Sequence, residues 1–434
     1  MIKRKIKKVF ISPIEKFVQI ESFSGILLLS VTIIALVWAN SPYGEFYENL
    51  WKYKFGVKFG SFQIYKPLLL WVNDGLMAIF FFLIGLEIKR EILLGELNSI
   101  RKTSLPFFAA IGGILVPVGL FLLLNEKPET TPGWGIPMAT DIAFSLAILT
   151  VLGSRVPLAL KIFLTAFAII DDLGAVLTIA VFYSSEISWG LIIISLIMII
   201  LLGIISFKGK YNKYLFFLVG TIVWVMFLKS GLHPTIAGVL MAFTIPIRQK
   251  SGQTADTDEL SHIVSKFKKT SASKIRPLLT KKQIYLINDL QNWTDKFQSP
   301  LQHLEHGLHG WVAYFIIPIF ALANAGINFG AQTNLDFSLS LNLIISLIIG
   351  KSIGVALFSI LSVKLGLAVL PGSISNTKII GTAFLAGIGF TMSIFIANLA
   401  FPDNQILIDS SKIRILIGSF ASGVIGYLIL RFSK

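Results

Sequence analysis

Apolar runs of spanning length follow one another along most of this chain, separated by short polar breaks. About twenty such residues cross the ~30 Å hydrocarbon layer of a bilayer as a helix. About twelve segments qualify, at 20–40, 67–88, 104–124, 135–152, 157–182, 188–206, 214–229, 232–247, 309–328, 340–361, 378–401 and 412–431. The pattern predicts an all-α polytopic membrane protein folded as one integral membrane domain over 1–434. An even number of crossings puts both termini on one side.

Two stretches break the pattern. Trp51, Tyr53, Phe55, Val57 and Phe59 alternate with Lys52, Lys54, Gly56 and Lys58, and Gly60-Ser61 supplies a turn. A period of two beside a turn predicts a small external β-hairpin within 45–66. Its free edge could pair with a second copy, a route to a homodimer; an amphipathic loop is the competing reading. The other stretch, 248–302, is a polar, mostly basic loop with helix-like pieces such as Lys281 to Phe297 and no catalytic signature. It reads as a solvated cytoplasmic insertion, with contact to anionic lipid as the alternative.

Composition agrees: 54% of residues are hydrophobic and 14% charged, where soluble chains carry about a quarter charged. With no cysteine, disulfides and thiolate metal sites are excluded. The net charge of +15 would suggest nucleic acid in a soluble protein, but here its distribution decides. If the N-terminus is cytoplasmic, 29 of the 38 Lys and Arg lie inside and eight outside, with Lys351 inside a span. That bias orients the chain with both termini in the cytoplasm and accounts for the basic charge without nucleic acid. No small-residue cleavage site follows basic Met1 to Lys8 and its apolar run, so the first span is expected to be retained.

Against this background, Asp171 and Asp172 stand out, adjacent acids inside the run 157–182. Ionised groups at such depth are costly and usually mark an ion or proton path; a structural ion pair is the plainer reading. Asp141 follows Thr140 in a span that Pro137 interrupts, and Gly387 to Thr391 interrupts a later span. Paired interrupted spans are the best sequence pointer to a transporter binding site. If the broken helices cross, Asp141 would offset converging N-termini and Lys351 converging C-termini; Lys351 could instead pair with an aspartate of the fifth segment. Lys351 is the only cation expected deep in a span.

A hard cation takes oxygen ligands, and a carboxylate holding a proton cannot also hold such a cation. Adjacent helix positions point about 100° apart, so the two aspartates cannot do identical work. One would serve as the cation and proton ligand and the other as the partner of Lys351. Elsewhere, Glu87, Lys89, Arg90 and Glu91 read as helix-end charge in contact with water. His303, His306 and His309, beside Glu305, recur near one helical face and read first as partly exposed residues at a membrane boundary; a pH sensor and, more weakly, a Zn²⁺ site are the alternatives.

The ordered motifs Trp71-Val72-Asn73-Asp74-Gly75, Gly85 to Glu91, Ala139 to Phe144, Gly153 to Leu164, Ala168 to Ala175, Leu232 to Gly238, Leu304 to His309, Ala323 to Gly326 and Gly387 to Ala397 run nearly the whole length. In them the chain resembles the NhaA-type sodium/proton antiporters. Such carriers are themselves among the examples behind the broken-helix rule. The resemblance implies twelve helices, with spans three to five and ten to twelve forming an inverted repeat. It implies electrogenic exchange of internal Na⁺ or Li⁺ for external protons, in pH and sodium homeostasis, at a bacterial inner membrane and without a resident cofactor. It matches Asp171 and Asp172 to the family's ion-site pair, Thr140 and Asp141 to the helix crossing, and Lys351 to the lysine paired with the first aspartate, which assigns Asp172 as the Na⁺/H⁺ ligand and Asp171 as a switchable partner of Lys351. Glu87, Arg90, Glu91, Glu305, His306 and His309 match a cytoplasmic pH-response cluster; Asp74 and His233 also match family positions. The chain departs from the pattern in the long loop before Leu304, in Gly310 and in Ser352, both of which replace prolines.

Other classes fit less well. Buried aspartates also serve intramembrane aspartyl proteases, but no Tyr-Asp or Gly-x-Gly-Asp motif surrounds Asp141 or Asp172. No HExxH or phosphate-loop motif is present. A passive cation channel is the nearest rival.

Overall fold

The computed structural model describes residues 23–60, 62–184, 187–208, 211–247, 253–271, 280–297, 299–328, 337–371 and 374–433. The basic N-terminus and Ser61 lie outside them. The described chain is helical apart from one hairpin, as expected. Among the described residues, eight helices are long and apolar enough to cross a membrane, and three further pairs form bent spans. The segment expected at 232–247 is a shorter apolar helix, Thr235–Thr244.

After α1 (Phe23–Ala39), α2 (Gly44–Lys52) leaves at 109°. The hairpin follows as β1 (Lys54–Phe59) and β2 (Phe62–Pro67), antiparallel with Phe59 opposite Phe62. The expected hairpin boundaries are therefore corrected: residues 45–52 are helix. Tyr47 is buried there, its hydroxyl donating to Leu322 O at 2.6 Å, and Trp51 stacks edge-on one turn later. A helical period of four overrides the alternation. Gly60, at φ 58°, makes the turn that a side chain would strain.

The spanning helices are α3 (Leu68–Leu94), α4 (Ile100–Leu124), the 3-10 segment Pro128–Met138 with α5 (Ile142–Val151), α6 (Leu158–Phe182), α7 (Trp189–Phe207) and α8 (Lys213–Ser230). Then come α9 (Thr235–Thr244) and, in the polar insertion, α10 (Gln253–Ser271) and α11 (Lys281–Phe297), which pack on each other. The last group is α12 (Pro300–Asn324), α13 (Leu341–Lys364), α14 (Asn376–Ala386) with α15 (Phe390–Ala400), and α16 (Gln405–Phe432).

Two boundaries move in ways that matter. Helix α12 starts at Pro300, nine residues earlier than expected, because proline suits a first helical position; Glu305, His306 and His309 thus lie on a spanning helix. Helix α16 starts at Gln405 and carries Lys412 and Arg414, both buried, into a span. Lys89 is buried on α3 as well. Lys351 is therefore not alone as a cation buried within these helices: the expected segments stop just before Lys89 and begin at Lys412, and the charge count places Lys89, Lys412 and Arg414 outside the membrane.

Helices α4 and α13 approach each other closely in the core. At Gly112 and Gly354 a Cβ on either helix would overlap the other's backbone carbonyl, so only glycine allows it. That contact sets Lys351, one turn before Gly354, against Val355, Phe167 and the face of α6. Three π-turns interrupt spanning helices, at Trp71–Leu76, Val312–Ile316 and Ser346–Gly350. The first holds Asp74 and the last delivers Lys351, in keeping with the enrichment of such bulges at functional sites.

Candidate functional site

The two bent spans, broken by 45° and 44°, meet at their breaks. The Asp141 N–H donates to Ile388 O at 2.6 Å, joining one break to the other. A helix start leaves N–H groups without intrahelical partners, and here two starts face one carboxylate. Asp141 Oδ1 accepts from Phe144 N–H on α5 at 3.2 Å. Its Oδ2 accepts from Thr391 on α15, from the N–H at 3.1 Å and the hydroxyl at 2.5 Å. One buried acid thus caps two half-helix N-termini, the geometry in which negative charge is favoured.

The opposite ends are satisfied differently. Lys351 Nζ donates to Met138 O, the end of the 3-10 segment. The end of α14 goes instead to hydroxyls: Thr140 to Ala386 O at 2.9 Å, Ser145 to Leu385 O at 2.8 Å and Ser422 to Phe384 O at 2.6 Å. Lys351 therefore offsets one C-terminus rather than both. Ser419 accepts from Gly389 and Phe390 N–H at 3.2 and 3.1 Å, and Ser393 donates to Ile136 O at 2.8 Å. Ser145, Ser393, Ser419 and Ser422 went unnoticed in sequence because lone hydroxyls in apolar runs carry no spacing signal.

Lys351 also does what the alternative reading required of it. Its ammonium lies 2.8 Å from both oxygens of Asp171 and 5.6 Å from the Phe167 ring. Both residues are fully enclosed. Asp172 is buried beside them, and among the described residues it has no hydrogen-bond or ion-pair partner. The two carboxylates are thus unlike: one is committed to an ammonium, the other is uncommitted. Five residues singled out in sequence, Thr140, Asp141, Asp171, Asp172 and Lys351, come together here.

Two further clusters hold the remaining candidates. Arg90 Nη1 lies 2.5 Å from Glu305 Oε1 and its Nη2 lies 2.7 Å from Glu91 Oε1. His309 Nδ1 faces Glu87 Oε1 at 3.8 Å. His309 is buried, whereas His303 and His306 are exposed, so the three histidines do not share one environment. No grouping suited to a metal ion occurs among the described residues, and the Zn²⁺ alternative finds no geometric support there. Lys89 is not helix-end charge in water: it donates to Phe243 O and Ile245 O at 2.7 and 2.5 Å, closing the end of α9. The other cluster joins Asp74 to Lys66 of the hairpin at 2.9 Å and to His233 Nε2 at 3.7 Å. Lys66 was missed because nothing in its neighbourhood distinguishes it from the other hairpin lysines.

A family model described as Na⁺/H⁺ antiporter 1 matches residues 15–430. A protein named Na(+)/H(+) antiporter NhaA from Oleidesulfovibrio alaskensis is 47% identical over 97% of this chain and 94% of its own length. Na(+)/H(+) antiporter NhaA 1 of Saccharophagus degradans is 44% identical, covering 98% and 92%. Na(+)/H(+) antiporter NhaA of Shewanella oneidensis is also 44% identical, covering 96% and 97%.

Proposed function

The chain belongs to the Na⁺/H⁺ antiporter 1 family, and from that premise we propose that it exchanges Na⁺ for H⁺ at the Asp171–Asp172 site. It is a multi-pass bacterial membrane transporter rather than an enzyme. The observation carrying the site assignment is the asymmetry of the acids: Lys351 engages Asp171, while Asp172 stays uncommitted beside it. An uncommitted carboxylate takes either a proton or a hard cation, never both, so occupancy is competitive. Alternating exposure of one competitive site yields exchange without covalent chemistry or a resident cofactor. When Na⁺ takes Asp172, Asp171 and Lys351 remain a neutral pair; when protons load, the pair is free to separate.

On this reading Li⁺, a smaller hard cation, is carried too, and exchange is electrogenic, extruding Na⁺ at the expense of the proton gradient in pH and sodium homeostasis. The Lys and Arg bias supports an inner-membrane orientation with both termini cytoplasmic. The hairpin, with Phe55, Val57 and Tyr65 exposed, is the proposed edge for a homodimer.

The test is proton movement in sealed proteoliposomes on adding Na⁺, Li⁺ or K⁺ across a pH series. Wild-type protein should move protons against Na⁺ and Li⁺, and Asp172→Asn should not. Full Na⁺-dependent proton movement by Asp172→Asn would overturn the assignment; Na⁺ passage without proton counter-movement would mark a channel.

A further inference from the structure

Three asparagines on three separate helices meet away from the ion site. Asn324, at the end of α12, donates to Asn73 Oδ1 at 2.8 Å and accepts from Asn73 Nδ2 at 3.3 Å. Its oxygen also accepts from Asn398 Nδ2 on α15 at 2.8 Å, and its amide nitrogen donates to Phe320 O at 3.0 Å. Asn324 is fully buried and Asn73 nearly so. Its oxygen and nitrogen are thus used twice each, in a closed network where losing one member leaves a buried polar atom unmatched. Across membrane helices, such amide pairs act as specific glue.

The position of the network gives it a consequence. Helix α15 is the half-helix whose start meets Asp141 through Thr391. Asn398 lies seven residues further, about two turns or ~10 Å along the same helix. Between them Phe395, fully buried, packs on Phe81 of α3 and Phe320 of α12. The half-helix is therefore pinned at its start by the site acid and near its end by an amide network on α3 and α12. Asn73 sits beside Asp74 in the π-turn, and Asp74 holds the hairpin lysine. Helix-to-helix apolar contacts tolerate sliding, but a three-way amide network has one register, so it defines where α15 stops.

We propose that Asn73, Asn324 and Asn398 are positioning residues for exchange: their amide network sets the resting register of α15 against α3 and α12, and it breaks and re-forms in each cycle. None of the hydrogen bonds of the three goes to Asp141, Asp171, Asp172 or Lys351. This rests on the antiport reading above, and the experiment separates the two.

In proteoliposomes, Asn398→Leu keeps the side-chain shape without the donor, and Asn398→Gln keeps an amide. Turnover per folded molecule should fall about tenfold in Asn398→Leu, with the Na⁺ concentration for half-maximal exchange within twofold of wild type. Asn398→Gln should recover a substantial part of that turnover. Asn324→Leu should reproduce the loss, and combining it with Asn398→Leu should cost little more. A shifted Na⁺ half-saturation with unchanged turnover would overturn the proposal, as would full turnover in Asn398→Leu or additive losses in the double variant. If Asn398→Leu does not fold, Asn398→Ser, read the same way, takes its place. If wild-type protein shows no Na⁺-coupled proton movement, the antiport reading fails. Amide hydrogen exchange of α15 then tests the network alone: Asn398→Leu should raise exchange at 396–400 with 390–393 unchanged, and no difference would overturn it.

Discussion

The cluster around Lys351 and the cluster around Arg90 are made of the same parts, acids gathered on a base, and differ in their access to water. Lys351 and Asp171 have side chains 0% and 1% exposed, whereas those of Arg90, Glu91 and Glu305 are 31%, 15% and 11% exposed. In the first, a lost partner leaves a charge with nowhere to go. In the second, water is at hand and the penalty shrinks. Burial, more than the identity of the pair, sets how costly a lost partner is in each cluster.

Removing one base from each cluster exposes the difference in burial most directly. Lys351→Met should destabilise the protein by about 3–5 kcal/mol, the usual penalty for stranding a buried charge, read as a lowered melting temperature in detergent. Adding Asp171→Leu should return much of it, since removing both charges removes the stranded one; no recovery would mean that packing around Lys351, not charge, was lost. Asp141→Ala comes next. It uncaps two half-helices at once, and at about 1 kcal/mol for each cap should cost about 2 kcal/mol, against a smaller loss for Thr391→Val. Arg90→Ala should cost about 1 kcal/mol, with a coupling to Glu305→Ala no larger than that in a double-mutant cycle. A loss equal to that of Lys351→Met would erase the distinction between the clusters. The smallest effect is expected from the histidines: His309→Ala, which removes a buried ring facing Glu87, should displace the pH profile of exchange, and His306→Ala, exposed, should displace it less. The reverse order would move the sensing role outward.

Much of the site was legible beforehand because membrane burial makes charge conspicuous. Asp141, Asp171, Asp172 and Lys351 drew notice as ionisable groups in apolar runs, and the structure gathers all four. The same criterion passes over Lys412 and Arg414, which sit at the edge of an apolar run yet are buried within α16. It was blind to Ser145, Ser419, Ser422 and Asn398, whose neutral groups matter only through a partner more than twenty residues away. At the hairpin, a period of two was read across 51–59, yet residues up to Lys52 are helical because Tyr47 finds a buried partner on α12.

By itself, the order of residues determined that this chain lives in a bilayer, since apolar length and the placement of Lys and Arg are properties of local sequence judged against water and lipid. It also determined that acids would lie at depth and that two spans would break, because proline and glycine act on their own backbone. Only the tertiary structure decided which acid is committed and which is not. The 2.8 Å between Lys351 and Asp171 joins residues 180 positions apart, through a helix approach that Gly112 and Gly354 permit. Direction and distance between remote side chains are set by packing, and packing is a property of the whole.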